Sequence, residues 1–299
     1  MNKRMLYNKN DLGKCFGLAV AVMLVGSLVL SFVFLPFANS DGSLPDWTFW
    51  LMQALYTLLI GSTTFLYAAL TKTDVLAATT IKRPPKIAHV GWGCLATLFL
   101  IALMLPVNEF FMRLIVAAGF PEPSVDLPMQ IVPMILISCV LAAVTEELLF
   151  RGTVARCVAN NKNQLAALAI CGALFSLYHT NPAQTLHQFV LGAFLALLVF
   201  RSGSVWTTVL VHFFNNIVAV ILSFTPLNDA VFADYWYVFV PVGLVGFCAC
   251  LFGYVKTTRS SWTYNEEEQC VVDGNSKISL AAGIAVCVVL WVCSLVGWL

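Results

Sequence analysis

The chain has 299 residues, of which 60% are hydrophobic and 10% charged, with a mean hydropathy of +0.86. A soluble domain carries about 25% charged residues, and a chain this apolar has too few polar side chains to cover a soluble surface. The formal net charge of +1 and the lack of a basic block exclude a nucleic-acid partner.

Ten cysteines raise the question of a disulfide framework. Most of them, Cys94, Cys139, Cys171, Cys248, Cys250, Cys287 and Cys293 among them, lie inside apolar runs, and no CxxC pair occurs. They read as small apolar fillers, with Cys270 alone in a clearly polar stretch.

Spanning a bilayer takes about 20 apolar residues. Nine segments qualify: 15–37, 48–70, 87–107, 129–150, 164–180, 184–200, 204–224, 235–255 and 279–298. The first is too long for a signal-peptide core and lacks a small-residue cleavage site, so it reads as a retained span. The segment Asn108 to Gly119 is short and carries Glu109 and Arg113, which predicts an interfacial helix.

Lys and Arg fall on alternate connections: Lys3 to Lys14, Lys72 to Lys86, Arg151 to Lys162, Arg201, and Lys256 to Lys277. Only Arg113 falls on the other side. That bias predicts a multi-pass protein of the cell membrane with a cytoplasmic N-terminus and an external C-terminus. Glu266, Glu267 and Glu268 then read as a solvated cytoplasmic loop. No internal repeat, low-complexity tract or matched pair of Gly/Pro-broken spans is visible.

Three of these apolar runs carry polar groups that are costly in a membrane. The fourth, free of charge from Ile131 to Thr145, then meets Glu146, Glu147 and Arg151. The fifth carries Ser176, Tyr178 and His179, and the seventh His212, Asn215 and Asn216. Intramembrane polar residues face a bundle interior or a water-filled cavity, so these are expected to converge.

Helix geometry assigns first roles. Glu147 and Arg151 stand four apart, so the arginine neutralises that acid. Glu146 is turned about 100° away and is left to face something else, as a general base in an apolar site. His212 and Asn216 also stand four apart, and donors aimed at one point make an oxyanion site. Asn215, at i+3, rivals Asn216 for the amide role. Counting about 1.5 Å per residue from near Asn160 and Asn163 puts Glu146 and His179 both about 20–25 Å along their helices, level with each other. His187, beside Gln184 and Gln188, reads as a polar contact between helices. The Asn181-Pro182 turn ends the fifth run, and Arg201 is accounted for by orientation alone.

Glu146-Glu147-x-x-x-Arg151, then Phe175-x-x-x-His179, then His212-x-x-x-Asn216, in this order on successive membrane helices, resembles the CAAX protease and bacteriocin-processing family, also called Abi. The resemblance covers roughly residues 129–220. It implies an intramembrane endopeptidase acting on a peptide or protein substrate within the lipid bilayer. By that resemblance Glu146 and His179 activate the attacking water, His212 and Asn216 stabilise the oxyanion, and Glu147 and Arg151 support them. No cofactor is favoured. Zn2+ held by Glu146, His179 and His212 is the alternative, since these residues have the chemistry of an open zinc site, although the HExxH pattern is absent.

The expected fold is all-α: a polytopic membrane helical bundle of about eight to nine transmembrane helices with a CAAX-protease-like core. Residues 1–128 hold three helices and the interfacial segment, 129–224 the catalytic core, and 225–299 the C-terminal helices. Two other functions are open to the same sequence. One is a non-catalytic scaffold or bacteriocin self-immunity protein of the same fold, which would be free to lose Glu146 or His179. The other is a proton-coupled transporter.

Overall fold

The computed structural model describes residues 6–40, 43–121, 128–225, 229–265 and 271–297. The run Glu266 to Glu268, Cys270, and the basic residues Lys3 and Arg4 lie outside them. Among the described residues the chain is helical and contains no strand.

The helices are α1 (Lys9–Phe34), α2 (Asp46–Leu70), α3 (Val75–Ala78), α4 (Ile87–Ala117), α5 (Ile131–Val158), α6 (Gln164–Tyr178), α7 (Thr185–Ser202), α8 (Val205–Ser223), α9 (Asp229–Asp234), α10 (Trp236–Thr257) and α11 (Gly274–Leu295). Eight of them are long and apolar enough to cross a membrane, and the protein is a multi-pass membrane protein. The fifth predicted span is the exception: α6 has only 15 residues, about 22 Å of helix against roughly 30 Å of hydrocarbon.

Helix directions nevertheless make α6 a pass. Helices α1 and α11 run parallel, because Gly13 lies against Ser276 and Gly17 against Ser279. Helices α4 and α10 run antiparallel, with Gly243 against Leu103 and Gly253 against Trp92. Helices α6 and α7 form an antiparallel hairpin, with Gly172 against Phe189 and Ser176 donating to the Thr185 carbonyl at 2.8 Å. These directions require an odd number of passes between the start of α1 and the end of α11, and nine satisfies all three.

One end of the bundle collects the basic connections. There the Arg156 guanidinium donates to Thr80, and Arg201 donates to the Val255 and Thr258 carbonyls that end α10. Lys14 donates to Asp273 at 2.6 Å, and with the Ser276 N–H it holds that carboxyl below the usual carboxylate range. Arg201 thus caps a helix, a role the sequence reading did not give it.

The segment 108–117 corrects the sequence reading. It is no separate interfacial helix but the last turns of α4, which continues through Pro106. Glu109 and Arg113 pair at 2.9 Å, four residues apart, so the charges that argued against continuation neutralise each other on one face. At 31 residues, about 46 Å, α4 outruns the hydrocarbon and carries that pair to its rim.

Helices α5 to α8 form the centre of the bundle. On one side α1, α2 and α11 pack against them through Phe16, Phe150, Phe175 and Tyr178. On the other, α4 and α10 pack through Leu100, Leu191, Leu195, Val211 and Tyr254. The nine described cysteines are free, and most serve as buried filler.

Candidate active site

Helix α5 is not uniform. Met134–Leu141 and Phe150–Val154 are π-helical, and between them Ala142–Leu149 is ordinary α-helix. A π turn widens the helix by one residue and is frequent at functional sites. Here the two π stretches bracket Glu146 and Glu147. In the second, the Thr153 hydroxyl donates to the Leu148 carbonyl five residues back, a reach that suits the widened turn.

Glu147 is fully buried. Its Oε1 accepts from Arg151 Nη1 at 2.8 Å and from His212 Nδ1 at 2.8 Å. The Arg151 side chain is 1% exposed; its Nη2 donates to the Gly192 carbonyl at 3.1 Å, and its guanidinium lies 4.2 Å from the Phe175 ring centroid. Three helices and a carbonyl of a fourth are thereby locked by one carboxylate and its two partners. A buried charge is tolerable only when paired and hydrogen-bonded in this way.

Glu146 points elsewhere, as its rotation requires. Its Oε2 lies 3.7 Å from His179 Nε2, which is too long for a hydrogen bond. The side chains are 21% and 18% exposed, against 0% and 1% for Glu147 and Arg151. Of the two pairs, Glu146 and His179 is the one with exposed side-chain surface. The short distance also places Glu146 and His179 level with each other, as the count along the helices predicted.

His179 sits where α6 stops. Thr180 has a left-handed φ of +49°, and the Asn181 side chain accepts from the Ala183 N–H at 2.8 Å, starting the turn at Pro182. The His179 Nδ1 is 2.7 Å from the Phe175 carbonyl. A carbonyl only accepts, so Nδ1 carries the hydrogen. In the neutral ring Nε2 is then an acceptor, and it faces Glu146 Oε2, a buried carboxylate oxygen with no hydrogen-bond partner. Two acceptors thus face each other across 3.7 Å.

On α8, Asn216 follows His212 by one turn. Its Nδ2 donates to the Ser138 carbonyl at 3.0 Å, in the first π stretch of α5, and its Oδ1 accepts from Asn215 Nδ2 at 3.1 Å. The predicted residues therefore form two linked groups: Glu146 with His179, and Glu147 with Arg151 and His212, with Asn216 one turn further along α8.

Residues 128–218 match a family model described as type II CAAX prenyl endopeptidase Rce1-like. This segment is an Rce1-like domain. The match spans α5 to α8, in keeping with the motifs that carried the resemblance. No curated protein matches the chain.

The zinc alternative needs Glu146, His179 and His212 to share one ion. Among the described residues no group of three or more His, Cys, Asp or Glu is placed to hold a metal ion. His212 bonds Glu147 through Nδ1. With no such group placed, no step below is routed through a zinc ion.

Sequence reasoning missed two contributors and the work of a third. The Ser138 and Gly192 carbonyls are backbone groups with no residue signature. Phe175 stood in the motif without a role; its ring underlies Arg151 and its carbonyl fixes His179.

Proposed function

We propose that this protein is an intramembrane endopeptidase in which Glu146 is the general base and the nucleophile is water. The observation that carries this reading is the partly exposed pair Glu146 and His179, two acceptors face to face. A water between them donates one hydrogen to each, which fixes its oxygen toward a substrate carbonyl. Glu146 takes the proton as the oxygen attacks and returns it to the leaving amine.

His212 and Asn216 stabilise the oxyanion. Because the Nδ1 hydrogen of His212 is bonded to Glu147, its Nε2 donates only when the ring is an imidazolium. Glu147 is the counter-ion for that form, shared with Arg151. Donors of this kind contribute roughly 2.7–4 kcal/mol each to the transition state. Glu147 and Arg151 position the site and touch no substrate.

Glu146 lies near the middle of α5, about 18 Å from its Val158 end, so the substrate bond is cleaved within the bundle. The basic end is the cytoplasmic one, in the cell membrane. The substrates are membrane-associated proteins or peptides. The family description names prenylated CAAX substrates, and whether prenylation matters here is one arm of the test.

Purified protein in detergent is incubated with a pool of prenylated and unprenylated membrane peptides, with and without a chelator, and products are read by mass spectrometry. Discrete internal cleavages that persist after chelation support the water-and-glutamate mechanism. Absence of any cleavage contradicts the enzymatic reading, and loss on chelation with rescue by Zn2+ contradicts the metal-free one.

A further inference from the structure

Asn215 and Asn216 are rivals in the sequence, and the structure gives them different work. Asn216 has both ends of its amide engaged: one Nδ2 hydrogen on the Ser138 carbonyl at 3.0 Å and Oδ1 on the Asn215 amide at 3.1 Å. A primary amide offers two N–H hydrogens and one carbonyl. With one hydrogen and the carbonyl engaged, the second Nδ2 hydrogen is the donor that remains, and its direction is fixed.

The assignment does not rest on a choice between nitrogen and oxygen in either side chain. Ser138 presents a backbone carbonyl, which only accepts, so it decides which end of Asn216 is the nitrogen. Asn216 Oδ1 then decides which end of Asn215 donates to it. Turned by 180°, Asn216 would set its oxygen against the Ser138 oxygen and its nitrogen against the Asn215 nitrogen. Both contacts would be lost, and a carbonyl would replace the free N–H.

We infer that Asn215 is a positioning residue that holds the Asn216 amide in the one orientation that presents N–H to the reaction centre. Asn215 is 6% exposed, and its own Oδ1 is buried beside His187. It acts through Asn216. The inference rests on the oxyanion role proposed above for Asn216.

The test measures kcat and KM for Asn215→Leu, Asn216→Ala and the double variant on a fluorogenic peptide carrying the cleavage site mapped for the wild type. Leucine keeps the shape of asparagine and brings no donor, so the packing survives. Thermal unfolding checks each variant, and Asn215→Ala replaces Asn215→Leu if that variant fails to fold.

The expected result is a fall in kcat of about 10- to 100-fold for Asn215→Leu, the scale of a misplaced group, with KM unchanged because the contact exists only in the transition state. In the Asn216→Ala background the same substitution has no further effect. Multiplying losses in the double variant, or wild-type kcat for Asn215→Leu while Asn216→Ala is impaired, would overturn the positioning role and leave the oxyanion role standing. Wild-type kcat for Asn216→Ala overturns both.

Discussion

At the scale of single residues the two adjacent glutamates have opposite environments, and substitutions separate them. Glu147→Ala leaves Arg151 and His212 buried without their carboxylate, and breaking a buried pair costs about 3–5 kcal/mol. Denaturant unfolding in detergent is expected to show a destabilised variant, with Glu147→Gln milder; an unchanged midpoint for Glu147→Ala contradicts the locking role. His212 supplies a second prediction. His212→Ala removes a proposed oxyanion donor and is expected to lower kcat by about 100-fold or more; a wild-type kcat in a folded variant sinks this role. The different surroundings of Glu146 and Glu147 were legible in the sequence, because adjacent helical residues point about 100° apart and Arg151 stands four away from Glu147. The bond from His212 to Glu147 was not, because it joins positions 65 apart and depends on how α5 and α8 are rotated against each other.

At the scale of elements the site depends on how closely α2 approaches α5. A Cβ on Gly61 would sit 2.6 Å from Thr145 Cγ2, next to Glu146. Thr145 cannot turn away freely, since its hydroxyl donates to the Leu141 carbonyl at 2.9 Å. Gly61→Ala is expected to destabilise by about 1–3 kcal/mol, as overpacking does, and to reduce cleavage by shifting the glutamate helix. Wild-type stability and activity together would show that α2 does not set this position. The ends of the helices were largely readable: Pro182 after Asn181 closed α6, and Gly203, with φ of +69°, closes α7. The π stretches of α5 were not readable. An apolar run carries the same hydrophobic pattern whether one turn holds an extra residue or not, and what the π stretch changes is the placing of carbonyls such as Ser138. Glu109 and Arg113 misled in the other direction, since α4 continues through Pro106 and carries both charges as a pair on one face.

At the scale of the molecule the charge pattern laid out the bundle, because a membrane leaves basic residues few places other than its connections. Arg151 is the instructive exception: counted with a connection in the sequence, it lies buried in the site. The nine passes set the described start of the chain at the basic end and place Gly297 against Pro121 at the opposite end. Reporters fused to the two termini are therefore expected on opposite faces, with the N-terminal one cytoplasmic; a shared face contradicts the nine-pass topology. The central claim is that Glu146 moves the proton of the attacking water. It is tested most directly by comparing purified wild type and Glu146→Ala on the peptides that the wild type cleaves. The expected result is loss of cleavage with thermal unfolding unchanged, because Glu146 stands outside the buried Glu147, Arg151 and His212 lock. A folded Glu146→Ala variant that cleaves at the wild-type rate would contradict it.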